Sequence, residues 1–140
     1  MRKRACALDL GRSRVGVAIE DELGMLAHPR PYLDGKDRKA FLRDLRSFIR
    51  EEEVTELVIG LPVDMSGEER VSAANVRVWA QEISDATGLD VHLWDERWTT
   101  KAASRGLRAG GTKAKDQRSK IDSASAVLIL QAFLDRRGIE

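Results

Sequence analysis

The chain has 140 residues, of which 42% are hydrophobic and 34% charged, with a formal net charge of +1. This composition is typical of one globular domain spanning 1–140, and no apolar run approaches the ~20 residues that a membrane span needs. The basic N-terminus is not a secretory signal, because the short apolar stretch after it already holds Asp9. The single cysteine, Cys6, cannot form an internal disulfide, so we expect a cytoplasmic protein with no membrane partner.

The N-terminal half opens with short apolar runs that predict strands. We expect strands at 4–10 and 15–19, joined by a turn, and a third strand around 25–27. Pro29 and Pro31 should then end regular structure. An amphipathic helix is predicted at 37–53, and the continuous apolar run at 57–59 predicts a strand that is buried on both faces.

The C-terminal half alternates predicted helices with one more strand. After a loop at 60–67, the pattern predicts a helix at 69–87, a strand at 91–94 and a shorter helix at 99–108. Gly110 and Gly111 open a flexible polar loop, and a last helix is predicted from about 117 to 137, ending at Gly138. A hairpin followed by alternating helices and strands predicts an α/β fold, with helices flanking a mixed sheet that is antiparallel at its start and then parallel.

Three acidic residues far apart in the sequence carry the candidate chemistry. Asp9 lies inside the first predicted strand, where carboxylates are disfavoured, although it could instead cap the following turn. Glu96 comes just after the strand at 91–94, where open α/β sheets bind ligands, although Asp95 or Glu96 could cap the next helix. Asp122 shares a helical face with apolar residues and then needs a partner or a metal, unless it is exposed in the first helical turn.

Clustered carboxylates repel each other unless a cation neutralises them, and Mg²⁺ and Mn²⁺ are cations that prefer oxygen ligands. A pair of such ions can activate a water and stabilise the leaving oxygen when a phosphodiester is cut. The sequence offers no better catalytic set, because His28 and His92 lack the spacing of metal ligands. Two basic segments, 1–14 and 110–120, fit a one-sided phosphate-binding face, or are ordinary solvated charge.

Several segments together resemble the bacterial YqgF family, also called RuvX. They lie in the family's order and spacing over nearly the whole chain, at 7–11, 14–18, 58–62, 95–100, 120–122 and 126–131. The aspartate-to-glycine strand is a weak signal alone, whereas the stretch at 95–100 combined with the final lysine-to-aspartate helix is a strong one. The family comprises pre-16S rRNA nucleases and Holliday junction resolvases. The resemblance therefore implies an RNase H-like fold and a divalent-metal active site.

The resemblance also assigns roles to individual residues. The catalytic residues and metal ligands fall on Asp9, Glu96 and Asp122, which would hold Mg²⁺ or Mn²⁺, with two ions per site expected. Nucleic-acid contacts are expected from two sets: family-motif residues at Arg14, Arg97, Thr99 and Thr100, and cations of the predicted loop at Lys113, Lys115, Arg118 and Lys120. Trp98 stands where the family commonly has an aliphatic residue or phenylalanine. It is either a surface on which a base stacks or a part of the core.

The function implied by this resemblance is phosphodiester hydrolysis, with precursor 16S rRNA as the expected substrate. The alternative substrate is a four-way DNA junction cut symmetrically by a homodimer, so the chain is expected to be a monomer or a homodimer. A sugar-kinase-like or actin-like ATPase is a rival reading of the first hairpin, but those proteins place nucleotide between two such domains. A nucleic-acid-binding protein without catalysis is a second rival, which metal-dependent cleavage would exclude.

Overall fold

The structure, a computed structural model, describes residues 3–62, 71–98 and 114–139, and for 114–122 and 139 it describes the backbone only. Five strands form one sheet: β1 (Ala5–Leu10), β2 (Arg14–Glu20), β3 (Ala27–Asp34), β4 (Glu56–Leu61) and β5 (Asp90–Asp95). Their order is β3-β2-β1-β4-β5, with β1, β2 and β3 antiparallel in turn and β4 and β5 parallel to β1. The predicted mixed sheet, antiparallel at its start and then parallel, is confirmed.

Helices cover both faces of the sheet. The helices α1 (Arg38–Glu52) and α2 (Ala73–Thr87) lie on one face, and α3 (Ala114–Ile139) lies on the other. The first core includes Leu8, Phe41 and Trp79, whereas the second includes Ala7, Val58 and Ile129. Because neighbouring strand residues point to opposite faces, β1 and β4 contribute alternate side chains to each core. The described helices include none that is both long and apolar enough to cross a membrane.

Caps define where the first two helices begin. The Asp37 carboxylate accepts the backbone N–H groups of Lys39 and Ala40, so α1 begins at Arg38, one residue after the predicted start. Helix α2 starts at Ala73, four residues later than predicted, because the Ser72 hydroxyl accepts the N–H of Asn75 and fixes the start there. The predicted helix at 99–108 lies outside the described residues.

The prediction for the third strand was wrong in its position. Instead of ending before Pro29, β3 begins at Ala27 and runs through both prolines to Asp34. The reason is its place at the edge of the sheet, where it pairs with β2 alone. A proline lacks the backbone N–H that an inner strand would need, but an edge strand can turn that side of its backbone to solvent.

The last helix is longer than predicted. It begins at Ala114 and continues through Gly138 to Ile139, so Lys115 belongs to the helix together with Arg118 and Lys120, and not to a loop. Residues 114–118 are mostly good helix formers, which favours the earlier start. A glycine in the last turn lies where helix ends fray, so it costs little.

An ion-pair network at the amino end of β1 and β4 fixes the direction of α3. Glu20 is 2% exposed, and it accepts the Ala5 N–H at 2.8 Å and the Arg137 guanidinium at 2.6 Å. Arg137 also lies 3.7 Å from Glu56, the first residue of β4. Since Ile129 adjoins Gly60 near the end of β4, α3 runs antiparallel to that strand, and its N-terminal half lies toward the carboxyl end of the strand.

Candidate active site

Asp9 lies near the carboxyl end of β1, on the face that α3 covers. Ala5 and Ala7, which share its side of the strand, belong to the core under α3. Its antiparallel partner in β2 is Gly16, and Gly60 follows in β4 one position after the Leu8–Ile59 pair. Asp9 therefore stands, half-buried, between two neighbours that have no side chains. This arrangement leaves space around its carboxylate in the middle of the sheet.

Glu96 follows directly after β5, and its side chain lies beside Gly60. Its Oε1 is 3.3 Å from the point where a Cβ on Gly60 would lie, and the side chain is half-buried. Gly60 pairs with Trp94, the β5 residue two positions earlier, which packs into the core under α3. The structure thus brings Asp9 and Glu96 to the same end of the sheet and to the same face, with β4 between their strands.

Gly60 is a residue of this site that the sequence reading missed. It was predicted to open a loop, but it lies inside β4. An added Cβ would come within 2.5 Å of Ile129 Cδ1, a distance that Cβ contacts essentially never show. The available signal was a glycine directly after an apolar strand run, which often marks close approach of another group.

Asp95 and Glu96 have separate tasks, although they are adjacent. Asp95 accepts the Arg97 backbone N–H at 2.9 Å and holds its guanidinium through both oxygens, with the shortest bond at 2.7 Å. Hydrogen bonds from the Arg97 side chain are the main cause of the lowered pKa of Asp95. Asp95 thus remains an ionised partner of Arg97, and Glu96 is the carboxylate beside Gly60.

Asp122 lies in α3, and its side chain is outside the described set. Position 122 is one turn before Ala126 and two turns before Ile129, on the helix face whose later residues are buried against the sheet. Next to it, the buried Ser123 donates its hydroxyl hydrogen to the Arg30 carbonyl of β3. The backbone therefore carries position 122 toward the carboxyl end of the sheet, where Asp9 and Glu96 lie.

The donor set can be tested against a divalent cation only in part. Among the side chains that the structure describes, no three of His, Cys, Asp and Glu lie close enough to hold a metal ion. Asp9 and Glu96 supply oxygen donors, and the missing Cβ of Gly60 allows Glu96 and Ile129 to lie close to the backbone of β4. Hard oxygen donors fit Mg²⁺ or Mn²⁺, with the third donor expected at position 122.

The predicted substrate contacts have different outcomes. Arg14 is exposed at the start of β2, with its guanidinium 4.9 Å from the Tyr32 ring centre. Arg97 is exposed and held by Asp95. Lys115, Arg118 and Lys120 lie along the first two turns of α3, whereas Thr99, Thr100 and Lys113 lie outside the described residues. The basic residues nearest Asp122 thus have a helical backbone.

Trp98 is exposed beside the site. Its ring is 53% exposed and stands edge-on to the buried Trp94, with ring centres 5.0 Å apart. An edge-on contact supports the indole while leaving much of its surface open to solvent. Core packing alone does not account for a tryptophan in this position.

Comparison with known proteins agrees with this architecture. A family model described as "RuvX: Holliday junction resolvase" matches residues 3–136. A protein of Koribacter versatilis named "Putative pre-16S rRNA nuclease" is 42% identical over 98% of this chain and 90% of its own length. A protein of Streptomyces coelicolor with the same name is 46% identical over 96% of this chain and 81% of its own length.

Solved structures resemble the chain in fold alone. Thermus thermophilus RuvC, in complex with a Holliday junction substrate, superimposes with a TM-score of 0.56 at 11% identity, covering 98% of this chain and 97% of that one. The fowlpox virus Holliday junction resolvase has a TM-score of 0.56 at 9% identity, covering 95% of this chain and 99% of that one. The mixed sheet with its flanking helices is therefore an RNase H-like fold of the kind that resolvases use.

The fold is RNase H-like, and the family model and the relatives named as nucleases define a protein of the nuclease class. The chain belongs to the RuvX family. The fold and the family that the sequence motifs predicted are both confirmed.

Proposed function

We propose that this protein is a divalent-metal-dependent nuclease that hydrolyses phosphodiester bonds with Asp9, Glu96 and Asp122. The observation that carries the proposal is the placement of Asp9 and Glu96 around Gly60, a strand position kept free of a side chain. Two carboxylates at the same end of the sheet are unfavourable if they lie close together, unless a cation or a proton compensates their charge. A metal-binding role explains the two charges, and the glycine allows Glu96 to lie close to β4.

Asp9, Glu96 and Asp122 would hold Mg²⁺ or Mn²⁺, with two ions expected per site. When bound, the metal supplies activation of the attacking water and stabilisation of the leaving oxygen. The chain itself positions the donors: Asp9 comes from the rigid centre of the sheet, and Glu96 from the first turn after β5. The Asp95–Arg97 pair fixes the backbone of that turn, which makes both of them positioning residues for Glu96.

Phosphate contacts outside the metal site would come from basic residues around the carboxylates. Arg14 starts the strand opposite Asp9, and Lys115, Arg118 and Lys120 precede Asp122 on α3. Contacts of this kind bind the nucleic-acid backbone without reading its sequence. They would orient the substrate, while the carboxylates hold the reacting group.

The proposed substrate is the precursor of 16S rRNA. Curated relatives that are 38–46% identical over nearly the whole chain are named for this activity. The second candidate is a four-way DNA junction, which the family description names. The resolvase structures do not decide between them, because at 9–11% identity they establish the fold alone. A junction resolvase needs two active sites, so a homodimer would favour the second candidate.

The test is cleavage of two labelled substrates in parallel, a precursor 16S rRNA fragment and a synthetic four-way DNA junction, with Mg²⁺, Mn²⁺ or EDTA. Asp9→Asn, Glu96→Gln and Asp122→Asn should each lower the cleavage rate at least ~100-fold, because each removes a metal ligand. Asp90→Asn is the matched control, because Asp90 is exposed at the opposite end of β5. It should cleave like the wild type.

Each outcome separates the alternatives. Cleavage of the rRNA fragment alone supports the first substrate, and cleavage of the junction alone by a dimer supports the second. If the wild type binds both substrates but cuts neither with either metal, the protein is a binding protein and the nuclease proposal is wrong. If Asp9→Asn cuts normally, the assignment of the site is wrong.

A further inference from the structure

Helix α1 has a line of cations along one exposed face. Lys39, Arg43, Arg46 and Arg50 are spaced by four, three and four residues, which places them on the same side of a helix. All four are exposed. Between them, Leu42 and Ser47 line the floor of an open groove of about 380 Å³. With a rise of 1.5 Å per residue, this face is about 16 Å long.

This basic face starts at the carboxyl end of the sheet, where the candidate active site lies. Gly35, three residues before α1, donates its N–H to the Ser13 carbonyl at 2.9 Å, beside the loop that follows β1. The same loop follows Asp9 and carries the exposed Arg12. At the other end of α1, Glu52 accepts from Arg4, just before β1 begins. Helix α1 therefore runs from the carboxyl end of β1, where the candidate active site lies, to the amino end of β1.

We use the name basic track for the four cations on α1 together with two that precede the helix. The track consists of Arg12, Lys36, Lys39, Arg43, Arg46 and Arg50. The carboxylates of Asp34 and Asp37, which accept backbone N–H groups at its upper end, keep their negative charge, and Asp44 forms an ion pair with Arg43 at 3.8 Å. These three carboxylates offset part of the charge of the six cations and leave an excess of positive charge. A protein with a net charge of +1 thus concentrates cations on one helix face.

We propose that the basic track binds the phosphate backbone of the nucleic-acid segment that leaves the active site. The inference rests on the proposed function, which makes the ligand a nucleic acid. A nucleic acid bound at Asp9 and Glu96, at the carboxyl end of the sheet, would extend from there onto this face of α1. The track lies on the opposite face of the sheet from Asp9, so the bound strand passes over the β1–β2 loop and then along α1. Its length corresponds to about five nucleotides at 3.4 Å per nucleotide.

The size of the effect follows from counterion release. Each phosphate contact changes the slope of log K against log salt by about 0.7 for single strands. Two lost contacts should therefore lower the slope by about 1.4, which corresponds to roughly 15-fold weaker binding at 0.15 M salt. A substrate too short to reach α1 should show neither change.

The experiment measures binding of two fluorescein-labelled single-stranded RNAs in EDTA, over a range of salt concentrations. Both contain the same cleavage site, and their lengths are about 6 and about 30 nucleotides, so that only the longer one can cover the track. The test variant is Arg43→Gln/Arg50→Gln, which leaves Arg46 to donate to the Ala86 carbonyl of α2. Arg77→Gln/Arg136→Gln removes the same charge elsewhere, at exposed positions of α2 and α3. Arg43→Lys/Arg50→Lys retains the charge on the track.

We expect the Gln pair to bind the long RNA about 15-fold more weakly with a shallower salt slope, while the Lys pair and the control pair remain near wild type. Binding and metal-dependent cleavage of the short RNA should not change. Equal losses in the Gln pair and the control pair would show a general charge effect and overturn the proposal. Unchanged binding of the long RNA would overturn it as well, and would leave an acidic protein as the partner of this face. If the wild type does not cleave either RNA with metal, the proposed nuclease function is wrong, but the proposal that the basic track binds RNA is not.

Discussion

Replacing Gly60 by alanine tests the central feature of the candidate site, the space between β4 and α3. The added Cβ would meet Ile129 Cδ1 at 2.5 Å and Glu96 Oε1 at 3.3 Å. To reach an ordinary contact of 3.4 Å, the Ile129 methyl group must move by about 0.9 Å. Ile129 is only 1% exposed, so its neighbours must move with it. The Glu96 carboxylate needs to shift by a much smaller distance.

The expected loss of stability is moderate. Overpacking of this kind costs about 1–3 kcal/mol, and the replacement of a strand glycine by alanine returns about 0.5–1 kcal/mol of chain entropy. We therefore expect Gly60→Ala to lower the free energy of unfolding by up to about 2.5 kcal/mol, or Tm by up to about 9 °C. Cleavage should fall by more than this loss implies, roughly tenfold at a temperature where the variant is folded, because the new methyl group lies beside Glu96 Oε1 and limits the approach of a cation to that oxygen.

A double-mutant cycle with Ile129→Val separates the two effects. This second change deletes Cδ1, the atom that meets the new Cβ, and costs about 0.5–1.5 kcal/mol by itself. In the double variant the collision with Ile129 is gone, so urea unfolding should show a favourable interaction energy of about 1 kcal/mol. The contact with Glu96 Oε1 remains, so cleavage and Mn²⁺ affinity should stay low.

Two results would refute this reasoning. If the stability losses of Gly60→Ala and Ile129→Val simply add, Ile129 does not fill the space above Gly60. If Gly60→Ala cleaves at the wild-type rate with wild-type Mn²⁺ affinity, the glycine does not serve the carboxylate site, whatever its effect on stability.

Three further predictions concern other parts of the molecule. Burial raises the pKa of the Cys6 thiol from 9.0 to about 12, so the thiol stays protonated in the folded state while the unfolded chain ionises above pH 9. The free energy of unfolding should therefore fall between pH 9 and 12, by up to ~1.4 kcal/mol per pH unit, and Cys6→Ala should remove this part of the slope in urea titrations. Arg137→Gln leaves the buried Glu20 without its counter-ion and should cost about 2–4 kcal/mol by urea unfolding, whereas the exposed neighbour Arg136→Gln should cost less than about 1 kcal/mol. Trp98→Ala should weaken binding of labelled single-stranded RNA about tenfold and Trp98→Phe much less, while wild-type affinity in both variants would mean that no base stacks there.

Strong local patterns predicted most of the fold. The apolar run at 57–59 lies inside β4, the strand predicted at 91–94 lies inside β5, and Asp37 caps α1. Burial of β4 on both faces and side-chain capping of α1 leave direct marks in the sequence. The prolines of β3 led to the wrong prediction that regular structure ends there, because a proline disrupts a strand with two neighbours but not always one with a single neighbour. That is a property of the assembled sheet, which no local window contains.

The candidate site could be predicted as residues but not as a geometry. Asp9 and Glu96 are 87 positions apart, and only the parallel pairing of β1 with β4 and of β4 with β5 brings their strand ends together. The strand positions beside Asp9 are Gly16 on one side and Gly60, toward Glu96, on the other, and neither has a side chain to suggest a function. In the local sequence, a glycine in a strand indicates only that the strand is less stable. Here, their positions on both sides of Asp9 give them a role in the site.

The pair Asp95 and Glu96 shows how the structure decides between two readings that the sequence left open. Glu96 was the predicted metal ligand, but either carboxylate could have capped the next helix. Asp95 accepts the Arg97 N–H and both arms of its side chain, which satisfies the backbone of the turn and uses both carboxylate oxygens. Since the cap is supplied by Asp95, Glu96 is not required for it and lies instead over Gly60, on the face of Asp9. The division has a direct consequence: Asp95→Asn should weaken the hold on Arg97 and reduce cleavage only partly, whereas Glu96→Gln should abolish it.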